Sequence, residues 1–183
     1  MTLADNDNIV RLLKSSDTRD QGFRLLLKEY GDTLYWHIRR IVVNHDDAED
    51  VMQETSINIY RHINKFNEAS TLVTWIYRIA TNESIRWLNR RAGWFSSIDS
   101  VSPTLYQELT TEASPDSEKI ELLFQKALLS LPTQQRIAFN MRYYDELSYE
   151  EIAKITGKNV NTLKTNYHFA VEKIKKVLKE NVL

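Results

Sequence analysis

From Ala92 to Ser117 the chain carries no lysine or arginine, while it holds two of the three prolines (Pro103, Pro115), many Ser and Thr residues and the acids Asp99, Glu108, Glu112 and Asp116. Proline removes a backbone donor, and small polar residues offer no apolar face to bury, so a stretch of this kind reads as a linker. It splits the 183 residues into two parts, each of a size at which a helical domain folds without metals or disulfides. Only four glycines occur and no run alternates apolar with polar residues, which predicts helices throughout. The expected fold class is all-α: a helical domain over 1–91, an acidic flexible linker over 92–117 and a second helical domain over 118–183.

In the first domain the spacing predicts helices over Gln21–Tyr30, Asp32–Val43, Asp47–Asn64 and Thr71–Arg91, with Gly31 between the first two. Ahead of them Ile9, Val10, Leu12 and Leu13 suggest a short packing helix. Asp46 and Glu49 have the spacing of a capping box, in which each side chain satisfies a backbone N–H at the helix start. Ala48, Val51, Met52, Ile59 and Ile63 should then face the core, with Asp47, Asp50, Gln53, Glu54 and Arg61 opposite. In the second domain a helix is expected over Lys119–Ser130, and Pro132 suits the first turn of the next. Ser148 and Glu151 form a second capping box opening a short helix to Thr156. Gly157 supplies a turn, and Asn159 caps a last helix from Val160 to Lys179.

Two helices joined by a short glycine turn make a helix-turn-helix, with Ala153, Val160 and Leu163 as its packed positions. The last helix continues that buried stripe through Tyr167, Ala170, Ile174 and Leu178. Its other face presents Asn161, Lys164, Thr165, His168, Lys175 and Lys176, types that meet base edges and phosphates. On the helix Thr71–Arg91, Thr74, Arg78, Asn82, Arg86 and Arg90 recur at near i, i+4 steps, with Trp75, Tyr77 and Trp87 interleaved. Cations beside flat rings suit single-stranded bases, although the tryptophans serve equally well as core. Between Asp46 and Glu54 there are five acids and no cation, whereas Lys158–Lys179 holds six lysines against Glu172. Such blocks point to separate surfaces for partners of opposite charge.

Other classes find no footing. The chain has no cysteine, so disulfides, thiolate zinc sites and thiol nucleophiles are excluded. Its four histidines (His37, His45, His62, His168) are scattered, and no glycine-rich phosphate loop or nucleophile turn is present. Neither enzymatic activity, a metal, a cofactor nor a small-molecule substrate is expected. No apolar run approaches the roughly 20 residues that span a bilayer, and the polar start of the chain is unlike a signal peptide. A cytoplasmic protein is the expectation.

In DDAEDVMQET (Asp46–Thr55), TWIYRIATN (Thr74–Asn82) and LPTQQRIAFNMRYYDELSYEEIA (Leu131–Ala153) the chain resembles the extracytoplasmic-function sigma factors, the smallest members of the sigma-seventy superfamily. The likeness covers nearly everything from Phe23 onward apart from the linker. It implies a transcription initiation factor whose first domain is sigma region two and whose second is region four. Asp47, Asp50, Gln53 and Glu54 would grip the clamp helices of the largest subunit of core RNA polymerase. Lys65, Phe66, Asn67, Ser70, Trp75, Arg78, Asn82, Arg86 and Arg90 would open and read the minus-ten promoter element. Asn159, Asn161, Thr162, Lys164, Thr165 and His168 would read the minus-thirty-five element in the major groove, with the domain seated on the flap of the second-largest subunit. The linker would run toward the RNA exit path, and an anti-sigma factor would hold the protein inactive. The free protein is expected to be a monomer.

Many relatives begin the recognition helix with a Ser-Val-Gly-Thr-Val-Lys-Ser-Arg-like run. Here it reads Asn159-Val160-Asn161-Thr162-Leu163-Lys164-Thr165-Asn166, with Asn166 in place of the familiar arginine. The promoter preference of relatives therefore does not carry over. Two readings from other classes stand beside this one: a stand-alone helix-turn-helix regulator, dimeric on palindromic sites, and an interaction module that occupies polymerase without reading DNA. The formal net charge of −1 favours a chain that gains DNA affinity from a partner, because phosphate neutralisation dominates such binding.

Overall fold

A computed structural model describes residues 3–67, 69–94 and 117–182. The described residues are helical apart from short turns, and they divide into two compact units, one taking in the chain as far as Leu88 and the other the C-terminal helices. In the first unit the elements are α1 (Leu3–Lys14), α2 (Arg19–Val42), α3 (His45–His62), a single 3-10 turn (Ile63–Lys65) and α4 (Leu72–Trp94). The second unit contains α5 (Ser117–Leu129), α6 (Thr133–Tyr143), α7 (Tyr149–Thr156) and α8 (Val160–Val182). The linker expected over 92–117 lies for the most part outside the described residues.

The two helices expected on either side of Gly31 are one. The buried stripe Leu26, Leu34, His37, Ile38 and Ile41 keeps its helical spacing through the glycine. Packing of that stripe offsets the roughly 1 kcal/mol that glycine costs a helix interior. Gly22 does different work: a Cβ there would lie 2.7 Å from the Leu13 backbone nitrogen and 2.9 Å from Leu12 Cβ. Only a glycine lets α1 pass this close to α2, with Ile9, Val10 and Leu13 buried.

α3 starts earlier than expected, and its cap is a different residue. Asn44, extended at the end of α2, accepts the Asp47 N–H at 3.1 Å on its side-chain oxygen. Asp46 and Asp47 therefore sit inside the first turn, where carboxylates complement the positive end of the helix. Glu49 turns instead to His45, 3.3 Å away. Of the predicted core positions, Ala48, Val51, Ile59 and Ile63 are buried and Met52 is half-buried.

α4 carries several polar groups on its buried side, and two of its hydroxyls are satisfied within the helix. Thr81 Oγ1 donates to the Tyr77 carbonyl at 2.7 Å, and Ser84 Oγ to that of Ala80 at 2.8 Å. Since Thr81 has spent its proton, it accepts from His37 Nε2, 2.9 Å away and fully buried on α2. The His37 ring also lies 4.7 Å from that of Tyr77.

In the second unit Leu128, Leu131, Phe139, Ala170 and Ile174 form the core, with Phe124, Tyr144 and Tyr167 against it. The expected box is present: Ser148 Oγ accepts the Glu151 N–H at 3.2 Å, and Glu151 Oε2 accepts the Ser148 N–H at 2.8 Å. Gly157 takes φ +69°, the left-handed conformation glycine adopts without strain, and Asn159 Oδ1 accepts the Asn161 N–H at 2.8 Å. Pro132 departs from expectation by one position: it is the extended N-cap of α6 (φ −53°, ψ 143°), not part of its first turn.

These packings predict opposite signs for two glycine substitutions. Gly22→Ala should destabilise the protein by about 1–3 kcal/mol through overpacking. Gly31→Ala meets open space and should stabilise by about 0.5–1 kcal/mol. Urea denaturation followed by circular dichroism checks both.

Candidate nucleic-acid interface

On α3, Asp50, Gln53 and Glu54 are exposed and follow one another along one face, while Asp47 at the head of the strip is half-buried. Tyr35 on α2 flanks the start of α3, its hydroxyl 2.6 Å from His45 Nδ1. The neighbouring Trp36 is 54% exposed. Its place within an otherwise ordinary core-facing run of α2 hid that exposure from sequence reasoning.

On α4, Arg78, Asn82, Arg86 and Arg90 are exposed along one side. Thr74, expected to head this strip, is buried and lies 2.9 Å from the Thr71 hydroxyl. In the segment before α4, Lys65 and Asn67 are exposed and Ser70 is half-buried. Phe66 is placed beneath this surface, not on it: it is 5% exposed, with its ring 5.6 Å from that of Trp75 and Lys14 Nζ 5.6 Å from its centroid. The half-buried Trp75 is therefore backed by a core ring. Lys65, Trp75, Asn82 and Arg86 come together with Asn58 and His62 of α3 to line a shallow groove of about 280 Å³. Arg78, Arg90, Asn67 and Ser70 do not line it. The contribution of α3 was not foreseen, because Asn58 and His62 are remote in sequence from α4 and carry no motif.

In the helix-turn-helix, Asn159, Asn161, Thr162, Lys164, Thr165 and His168 are all exposed. Buried beneath them are Leu163, Ala170 and Ile174. Tyr149, at the first position of α7, was not singled out by the sequence, yet Lys164 Nζ and Arg142 Cζ each lie 5.7 Å from its ring centroid. A cation held over an aromatic face is stabilised there by about 0.5–1 kcal/mol at an exposed site. Burial raises the Tyr149 phenol above its usual value, Tyr167 raises it further, and Arg142 opposes the shift. Farther along α8, Lys175 pairs with Glu172 at 3.1 Å and Lys176 with Glu180 at 3.8 Å. Exposed pairs of this kind are weak and exchange readily for phosphate. Among the described residues there is no cluster able to hold a metal ion, and no helix is long and apolar enough to cross a membrane.

Comparison with known proteins adds the lineage of this arrangement. Residues 26–94 match the family model for sigma-70 region 2, and residues 121–174 that for sigma-70, region 4. The chain is 30% identical to the ECF RNA polymerase sigma factor SigW of Bacillus subtilis over 182 residues, covering 94% of this chain and 97% of that one. It is 31% identical over 163 residues to the ECF RNA polymerase sigma-E factor of Escherichia coli K12, covering 84% and 85%. Among solved structures it resembles the sigma factor RpoE of Bartonella quintana, in complex with the anti-sigma factor NepR (TM-score 0.66, 25% identity, 87% of this chain and 98% of that one). CnrH, in complex with the cytosolic domain of CnrY, shares the fold at 18% identity (TM-score 0.70, 97% and 99%).

The placement of Phe66 separates packing from contact. Phe66→Ala should cost about 3–4 kcal/mol of stability in chemical denaturation. Lys65→Ala and Asn67→Ala, both exposed, should each stay within about 0.5 kcal/mol of wild type.

Proposed function

This chain belongs to the extracytoplasmic-function group of the sigma-70 family, and we propose that its three exposed strips divide the work of promoter-specific transcription initiation between polymerase and DNA. Sigma factors are non-catalytic initiation factors, and the chain directs RNA polymerase to promoters in that capacity. In this reading residues 1–91 are region two, 92–117 a linker and 118–183 region four, working in the cytoplasm without a small-molecule substrate.

The observation that carries the division of labour is the contrast between adjacent helices of one unit: α3 turns the carboxylates of Asp50 and Glu54 outward, and α4 turns out arginines and an asparagine beside a supported tryptophan. One bundle thus offers surfaces to partners of opposite charge. The acidic strip Asp47, Asp50, Gln53 and Glu54 suits the clamp helices of the largest polymerase subunit, where carboxylates meet basic and amide side chains. Arg78, Asn82, Arg86, Arg90 and the segment with Lys65, Asn67 and Ser70 suit the opened minus-ten element, since arginines bind phosphate while rings stack on unpaired bases. Phe66 contributes by holding Trp75 from below.

The exposed face of α8 suits the major groove of the minus-thirty-five element. Asn161 and Thr165 offer amide and hydroxyl groups to base edges, Lys164 serves phosphate, and Asn159 fixes the start of the helix. Arg142, drawn toward the same tyrosine as Lys164, adds a second cation to this end of the motif. A monomer fits an asymmetric pair of elements, with the second unit on the flap of the second-largest subunit. The solved relative bound to an anti-sigma factor supports an inhibitor of the same kind for this chain. A net charge of −1 leaves the free protein a weak DNA binder, so docking on polymerase precedes promoter recognition.

Pull-down of core RNA polymerase tests the first surface. Asp50→Ala with Glu54→Ala should lower capture at least tenfold while far-ultraviolet circular dichroism stays unchanged. Lys164→Ala should leave capture intact and weaken promoter binding by the reconstituted holoenzyme, reducing the slope of log affinity against log salt by about one. If well-folded wild type captures no cognate core, the polymerase reading fails. If each variant loses both activities, the separation of surfaces fails.

A further inference from the structure

The face of α8 proposed above for DNA is polar and cationic at its start, and its character changes one turn further on. Between Lys164 and Lys173 the chain has no lysine or arginine. Within that gap Phe169 is 54% exposed, one helical turn beyond the exposed Thr165 and next to the exposed His168, whose ring centroid lies 5.9 Å away. Leu163, Ala170 and Ile174 form the buried stripe of this helix, and Phe169 lies outside it. A phenyl ring left in water forgoes the stabilisation that burial brings. Its spacing of four residues from Thr165 and seven from Thr162 sets it on the side of the helix that those residues share.

The neighbours of Phe169 narrow what it can meet. Guanine is read most often by arginine or lysine, and this part of the helix supplies neither. Thr165 Oγ1 donates to the Asn161 carbonyl at 2.9 Å, so its proton is spent within the helix, and what it keeps for a ligand is an acceptor and a methyl group. Glu172, three residues beyond Phe169, is exposed and holds Lys175 at 3.1 Å, so this stretch brings no net positive charge to phosphate. Apolar surface is therefore what this turn of the helix has to offer. On the major-groove edges of the base pairs the distinctive apolar group is the C5 methyl of thymine.

We propose that Phe169 is a specificity-determining residue of the second unit, selecting thymine in the duplex minus-thirty-five element by packing its ring on the C5 methyl group. The inference rests on the minus-thirty-five reading of α8, and it adds to that reading an apolar residue outside the polar set already described, together with the base it selects. Lys164, gathered on Tyr149 nearer the start of the helix, anchors phosphate without choosing a base. Phe169 does the reverse: it discriminates among sequences and adds little to the affinity for DNA at large.

The test uses holoenzyme reconstituted from the full chain and cognate core polymerase, and a pool of duplexes randomised across both promoter elements. Sequencing of the captured duplexes should show a position upstream of the minus-ten element at which thymine is enriched by wild type and not by Phe169→Ala, with the preferences at other positions kept. In one captured duplex, replacing that thymidine by deoxyuridine removes the methyl group alone and needs no protein variant. Wild-type binding should weaken about fourfold, the value of one methyl group withdrawn from water. The same replacement should leave Phe169→Ala binding unchanged, and the slope of log affinity against log salt should be equal for the two proteins, since no phosphate contact is lost. If no thymine depends on Phe169, or if wild type binds the thymidine and deoxyuridine duplexes equally, the inference is overturned and the minus-thirty-five reading stands. Enrichment of no sequence upstream of the minus-ten element by wild-type holoenzyme overturns both.

Discussion

The contact of His37 with Thr81 and Tyr77 sets the rotation of α4 about its own axis, and the chemistry of the first unit follows from that angle. The imidazole is fully buried and needs an acceptor, Thr81 provides one only because its own proton goes to the Tyr77 carbonyl, and the chain of donors ends on that backbone oxygen. A buried donor left without its partner would cost about 1–3 kcal/mol, so the helix cannot roll without penalty. With Tyr77, Ala80, Thr81 and Ser84 held inward, Arg78, Asn82 and Arg86 have no direction left but outward. Glu83 is caught at the boundary, buried by α3 on one side and open to the groove on the other.

What was legible in the sequence was local. The box at Ser148 and Glu151, the left-handed Gly157 and the Asn159 cap each involve residues at most three positions apart, so spacing alone determines them. The exposed faces of α3 and α8 followed from helical periodicity for the same reason. What was missed depends on partners remote in sequence. Gly31 reads as a break until Leu26 and Leu34 are seen packed into one core, and Thr74 and Phe66 read as surface chemistry until their burial is known. The cap of α3 was misassigned because two capping residues compete within three positions, and Asn44 wins by ending the tight turn out of α2, where Val43 takes the uncommon φ of +76°. The groove was invisible in principle: it joins Asn58 to Glu83, 25 positions apart.

The second unit manages its positive charge differently from the first. Lys175 and Lys176 are paired with acids of their own helix, and Lys173 donates to the Ser130 carbonyl at 2.6 Å. Lys164 and Arg142 are instead gathered on the ring of Tyr149, which attracts both without neutralising either. Charge thus stays available at the turn of the motif and is muted along the shaft of α8. That gradient concentrates the accessible positive charge of the second unit at the beginning of α8.

The close passage of α1 over Gly22 bears on where this domain begins as a physical object. The sigma-70 region 2 match starts at residue 26, but Leu13 is fully buried, Thr18 and Arg19 bond to the carbonyls of Leu12 and Leu13, and Lys14 lies over the Phe66 ring. The cooperative folding unit therefore extends upstream of the segment by which the family is recognised. A fragment cut at the family boundary would bare the apolar floor beneath α1 and loosen the support of Trp75. Sequence change in α1 can accordingly reach the exposed side of α4 through Phe66, on which the Trp75 ring rests.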